Sequence, residues 1–222
     1  MSSIHNPVNA LMKYFTITLL ITVIGLLIGN TLPYTLITAI NILLFTLIIV
    51  TFIIAIFAKR PKQGSRRGFS MNIVYGYSFL LGITLTPTLA YYVGAIGAST
   101  VIAVFIGTLL IVGTLSFLSY TQSNDNILKL GPILFVSTIV LLIISIASLF
   151  FLEFTMAQWI ITISSIIIFS CWVIYDIYRF KRESAYISTK RELAPYVLDI
   201  YIDFINLFLD LLRLKALIKS ND

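Results

Sequence analysis

The sequence predicts an all-α membrane protein: one domain over residues 1–222, with seven transmembrane helices and the seventh central in the bundle. Three observations lead there. The chain is 59% hydrophobic and 11% charged, with mean hydropathy +1.02, whereas soluble domains carry about a quarter charged residues. Apolar runs of about 20 residues, long enough to cross a bilayer, recur along the whole length. The last run also carries acids and an amide on a single face.

The predicted helices are 15–32, 34–58, 71–93, 95–120, 130–152, 155–178 and 194–214. No small-residue cleavage site follows the first run and the chain stays apolar beyond it, so a retained helix is expected rather than a removed signal peptide. Pro33 sits in a tight turn before the second helix. Pro87, within "GITLTPT", is expected to kink the third or break its hydrogen-bond ladder. Gly76, Gly82, Gly94, Ala98, Ala103, Gly107 and Gly113 punctuate helices three and four and suit close helix packing. The fifth run is free of charge, the sixth ends in "CWVIYDIYRF", and the seventh contains "YIDFINLFLDLLR".

The net charge is +6, and its placement points to a membrane rather than to nucleic acid. With the N-terminus inside, the inner segments hold Lys13, Lys59, Arg60, Lys62, Arg66, Arg67, Lys129, Arg179, Lys181, Arg182, Lys190 and Arg191. The outer ones hold only Arg213, Lys215 and Lys219. That asymmetry orients the chain N-in and, after seven crossings, C-out. "KRPKQGSRR" therefore reads as an orientation signal, with anionic lipid headgroups as a secondary contact. The single Cys171 and single His5 exclude an internal disulfide and a zinc or iron–sulfur site.

On the seventh helix Asp199, Asp203, Asn206, Asp210 and Arg213 share a face about 80° wide at 100° per residue. A carboxylate facing lipid at mid-membrane costs roughly 2.5–3.5 kcal/mol, so this face is expected to point into the bundle or into water. Asp210 and Arg213, three apart near the outer end, read as a structural pair. Asp199, a turn into the helix, can reach inner-side water. Asp203 lies about 13 Å along the helix from Ala194, too deep to do so, and an intramembrane acid without a near partner is a functional candidate.

Asp176 is the other deep acid, on an antiparallel neighbour, and Asp203 can pair with it if the sixth helix continues through "RFKRESAY". Asp176 can instead pair with Arg179 at the interface. Two carboxyl groups in contact at low dielectric do not both ionise easily, so they share a proton. Protonated, the pair would bond helix six to helix seven. Deprotonated, it would repel, or take a cation preferring oxygen ligands such as Ca²⁺. Two carboxylates make a weak site that an ion can enter and leave.

These residues carry a resemblance. "VIGLLIGNTLP", "GYSFLLGITLTP", "VIYDIY" and "YIDFINLFLDLLR" together resemble the Bax inhibitor-one family, also called the transmembrane BAX inhibitor motif family, in its bacterial form. The resemblance implies a seven-helix bundle with the last helix central, and a pH-sensitive calcium leak whose diaspartyl sensor falls on Asp176 and Asp203. It also implies a bacterial plasma membrane, with Ca²⁺ and protons as ligands and no cofactor. Bacterial relatives carry a glutamate in helix two and an arginine near its inner end. Here that helix has no charge, only polar residues such as Asn41, Thr46 and Thr51, so Lys59 or Arg60 would supply the basic contact. Two other classes remain. Intramembrane aspartyl proteases also place aspartates on helices six and seven, but their second follows Gly-x-Gly and Asp203 follows "IYI". A regulatory membrane protein that binds other membrane proteins and conducts nothing is the third.

Overall fold

The computed structural model describes residues 4–57, 68–151 and 155–220, and the described residues form α-helices joined by short turns. In chain order they are α1 (Pro7–Gly29), α2 (Tyr34–Phe57), α3 (Met71–Ile96), α4 (Ala98–Thr121), α5 (Gly131–Phe151), α6 (Thr155–Glu183) and α7 (Lys190–Lys219). Short 3-10 segments cover Asp125–Leu130 and Ser184–Tyr186. The all-α prediction holds. Among the described residues, five helices are long and apolar enough to cross a membrane. The Tyr34–Leu44 part of α2 is a shorter apolar stretch outside that count. α7 is long enough but carries too many charges along its length to join the five.

Local chemistry sets the helix ends. Asn6 caps α1: its side chain accepts the N–H groups of Val8 and Asn9, both at 3.1 Å, with Pro7 in the first turn. The helix therefore starts eight residues before the predicted 15. α3 runs as one helix through Pro87. A single residue, Gly97 at φ 89°, separates α3 from α4, and that left-handed backbone suits glycine. α7 begins at Lys190 rather than 194. Thr189 and Glu192 form a capping box there: Glu192 Oε2 accepts from the N–H of Thr189 at 3.0 Å and of Ser188 at 2.8 Å, and Thr189 Oγ1 accepts from the N–H of Glu192 at 3.4 Å.

The chain divides into two compact units. The first takes the described residues up to Tyr91 with Ser184–Leu198. In it α1 lies backbone to backbone against α3. A methyl on Gly25 would strike the carbonyl of Phe79 and come within 3.1 Å of the Gly82 Cα, and one on Gly82 would strike the carbonyl of Thr22. Gly82 is thus the member of the predicted small-residue set that meets a neighbouring backbone. Added methyls on Gly76, Gly94, Gly107 and Gly113 meet nothing within 4 Å.

The second unit takes Tyr92–Glu183 with the chain from Asp199 onward. Here α6 packs on α4 and α5. The Ser119 hydroxyl donates to the carbonyl of Ile174 at 2.6 Å, and the Trp172 indole N–H to Thr138 Oγ1 at 2.9 Å. Phe105 of α4 stands edge-on against Phe204 and Phe208 of α7, ring centroids 5.6 and 5.5 Å apart. Within this unit Tyr201, Phe204, Leu207 and Leu212 of α7 are fully buried.

Candidate functional site

The candidate site lies within the second unit, where α6 meets α7. α6 does continue through "RFKRE" to Glu183, with the 3-10 turn beyond it, as the expected pairing of Asp176 with α7 requires. No proline or glycine interrupts that stretch, and its basic side chains find partners. Lys181 donates to the carbonyl of Gln122 at 2.7 Å. Arg182 pairs with Asp125 at 3.0 Å. The Tyr178 hydroxyl donates to the same Asp125 at 2.7 Å.

Asp176 and Asp203 are buried, 6% and 5% exposed, and their carboxyl groups are in hydrogen-bonding contact. Asp199 is the next charged neighbour of Asp203. Oδ2 of Asp203 is buried and has no hydrogen-bond partner. A hydrogen bond between two carboxyl groups can form only while one of them keeps its proton.

Both partners considered for Asp176 are present together. Besides touching Asp203, its Oδ1 meets Arg179 Nη1 at 3.4 Å. The same guanidinium reaches Asp199 Oδ2 through Nη2 at 3.7 Å and Glu183 Oε1 through Nε at 3.6 Å. It lies 5.9 Å from the centroid of the Tyr175 ring. Arg179 is thus a branched cation shared among two acids of α6 and one of α7. Asp199, with its side chain 30% exposed, reaches this arginine as well as the solvent side. The i,i+3 spacing made the Asp176 contact legible in sequence. The reach to Asp199 was not, because it crosses between helices.

Farther along α7, Asp210 is buried. Its predicted partner Arg213 stands 4.0 Å away, at the limit of an ion pair. Its close partner is Ser165 of α6, whose hydroxyl donates to Asp210 Oδ2. Ser165 precedes Asp176 by eleven residues, which puts the two within about 20° on one face of α6. That periodicity was the available signal for it. Asn206 is half-buried between Asp203 and Asp210. Lys59 and Arg60, the expected basic contacts, lie outside the described residues. Among the described residues no three His, Cys, Asp or Glu side chains are grouped to hold a metal ion, so a cation here would meet the carboxylates of a pair.

Comparison with known proteins agrees over the whole chain. The family model described as "Inhibitor of apoptosis-promoting Bax1" matches residues 6–222. An uncharacterized protein of Helicobacter pylori is 26% identical over 221 residues, covering 100% of this chain and 90% of the relative. The inner membrane protein YbhL of Escherichia coli K12 is 31% identical over 180 residues, 78% of this chain and 74% of its own. A Campylobacter jejuni protein is 27% identical over 162 residues, 71% of this chain and 67% of its own. With that match and five helices fit to span a bilayer, the chain is an integral membrane protein that belongs to the Bax inhibitor-1 family.

Proposed function

We propose that this protein is a pH-sensitive calcium leak of a bacterial plasma membrane, gated by Asp176 and Asp203 between α6 and α7. All seven helices cross the bilayer in this reading, with α7 enclosed by the rest, the N-terminus cytoplasmic and the C-terminus outside. The observation that carries the gating is the hydrogen-bond contact of two buried carboxyl groups on different helices. Such a bond holds while one proton remains. When it leaves, two like charges face each other at low dielectric, and the helices separate or a cation enters between them. Oxygen donors suit Ca²⁺. A site with so few carboxylates lets the ion go again, as conduction requires.

The test is Ca²⁺ flux into proteoliposomes as pH is varied on the side bearing the loop between α6 and α7. Flux should rise with pH. Asp203→Asn should abolish most of the Ca²⁺ response, since an amide neither repels its partner nor attracts a cation. Asp176→Asn should remove the pH dependence. The double variant should be no worse than the more severe single one, because either change destroys the same coupled unit. Absence of flux from wild type at every pH would leave the non-conducting regulatory role. Independent, additive effects would separate Asp176 from Asp203 and return it to Arg179.

A further inference from the structure

We propose that Asp210, with Ser165 and Asn206, forms a second cation station between α6 and α7, receiving a divalent cation from the side of the C-terminus. The inference rests on the leak function proposed above. The polar face of α7 that holds Asp203 continues to Asp210, about 10 Å farther along the axis at 1.5 Å per residue. There the carboxylate is 7% exposed and has one fixed donor, the Ser165 hydroxyl on Oδ2. Its Oδ1 faces only the loosely held Arg213, 4.0 Å away on a side chain 47% exposed. Arg213 is therefore a resident cation with room to swing outward, and a mobile cation can replace it.

The donors at this level are a carboxylate and a hydroxyl whose oxygen keeps free lone pairs, with the half-buried Asn206 one turn earlier on the same face. They form an all-oxygen set of the kind Ca²⁺ accepts. One carboxylate makes it weak, which suits passage rather than storage. A divalent ion released by the inner pair would otherwise face an apolar stretch of helix with no counter-charge, a barrier that a series of weak sites removes. The next acid oxygen along the face is open to such use: Asp203 Oδ2 is buried and has no hydrogen-bond partner among the described residues. Two polar rungs, Asp176–Asp203 and Ser165–Asp210, thus lie on the same pair of helices.

The experiment uses the full chain in proteoliposomes of determined orientation, with Ca²⁺ varied on the C-terminal side at fixed pH. Asp210→Asn should raise the half-saturating Ca²⁺ about tenfold, the loss of one charge-assisted ligand, while leaving the pH midpoint read from the opposite side unmoved. Asp210→Glu should restore most of the affinity. Ser165→Ala keeps the charge but removes the orienting donor, and should raise the half-saturating value by less. A saturation curve for Asp210→Asn superimposable on wild type overturns the station while the leak stands. So does a shift confined to the pH midpoint, which would mean that Asp210 acts only through packing. If Asp210→Asn does not fold, an unmoved curve for Ser165→Ala overturns the station. A wild type that passes no Ca²⁺ at any pH overturns the leak, and the station with it.

Discussion

Arg179 shows how much one side chain can decide at a helix interface. Its side chain is 16% exposed and its guanidinium spans Asp176, Glu183 and Asp199, so it ties α6 to α7 whether or not Asp176 and Asp203 share a proton. Arg179→Gln should therefore loosen the closed arrangement. We expect Ca²⁺ flux at acidic pH to rise several-fold and folding stability to fall by about 1–3 kcal/mol, the usual cost of stranding buried charged partners. Arg179→Lys should fall between, because a single ammonium cannot fork across three carboxylates. Superimposable flux curves for Arg179→Gln and wild type would reduce the residue to a surface ion pair. Glu192, outside the membrane-spanning part, offers a pH test of a different kind. The Ser188 and Thr189 backbone N–H groups and the Thr189 hydroxyl hold its carboxyl below the usual glutamate range, against a smaller opposing effect of burial. A group whose folded value is depressed stabilises the fold above its unfolded value and loses that contribution as pH falls through the folded one. Glu192→Gln should thus lower the melting temperature at neutral pH, with the difference from wild type closing in acid. A difference independent of pH would show that the carboxylate charge is not what caps α7.

At the scale of elements, most helices were legible because twenty apolar residues have few other uses. The ends were less so, since a cap outweighs hydropathy within a turn. "NP" at Asn6–Pro7 and "TKRE" at Thr189–Glu192 start α1 and α7 earlier than the apolar runs suggest. The periodic stripe on α7 put Asp203 and Asp210 on one face, and both are buried. Ser165 shares a face of α6 with Asp176, but that spacing alone does not say which residue of α7 its hydroxyl meets. Glycines showed the converse problem. Their spacing suggested packing in helices three and four alike, yet only Gly82 of that set, with Gly25 and Gly29 of α1, meets a neighbour closely enough to forbid a side chain. Gly82→Ala should therefore force the α1 and α3 backbones apart at a cost of about 1–3 kcal/mol, as overpacking does. Gly107→Ala has open space around its added methyl and should be neutral or stabilising. Equal losses of melting temperature in detergent for the two variants would contradict this account of α1 against α3.

At the scale of the whole molecule, orientation depends on charge rather than on any single contact. In the proposed seven-crossing arrangement twelve of the fifteen basic residues fall on the inner side and three on the outer, the asymmetry that would favour insertion with the termini on opposite sides. The count depends on α7, the helix whose own composition argues least for a span. Three aspartates would oppose its insertion if they faced lipid. They do not: Asp203 and Asp210 are buried and Asp199 is half-buried. In the proposed arrangement α7 would cross as a helix solvated by protein, and the seventh crossing stands or falls with that burial. Tyr186, 74% exposed, lies just before α7, and Ser220, also exposed, lies just beyond it. In a chain whose Cys171 has been replaced by serine, cysteines at these two positions bracket the helix. A membrane-impermeant thiol reagent applied to right-side-out cells should modify Ser220→Cys and spare Tyr186→Cys until the membrane is opened. Labelling of both from one side would place α7 along a single face of the bilayer, leave the chain with an even number of crossings, and remove the path on which Asp203 and Asp210 would act in series.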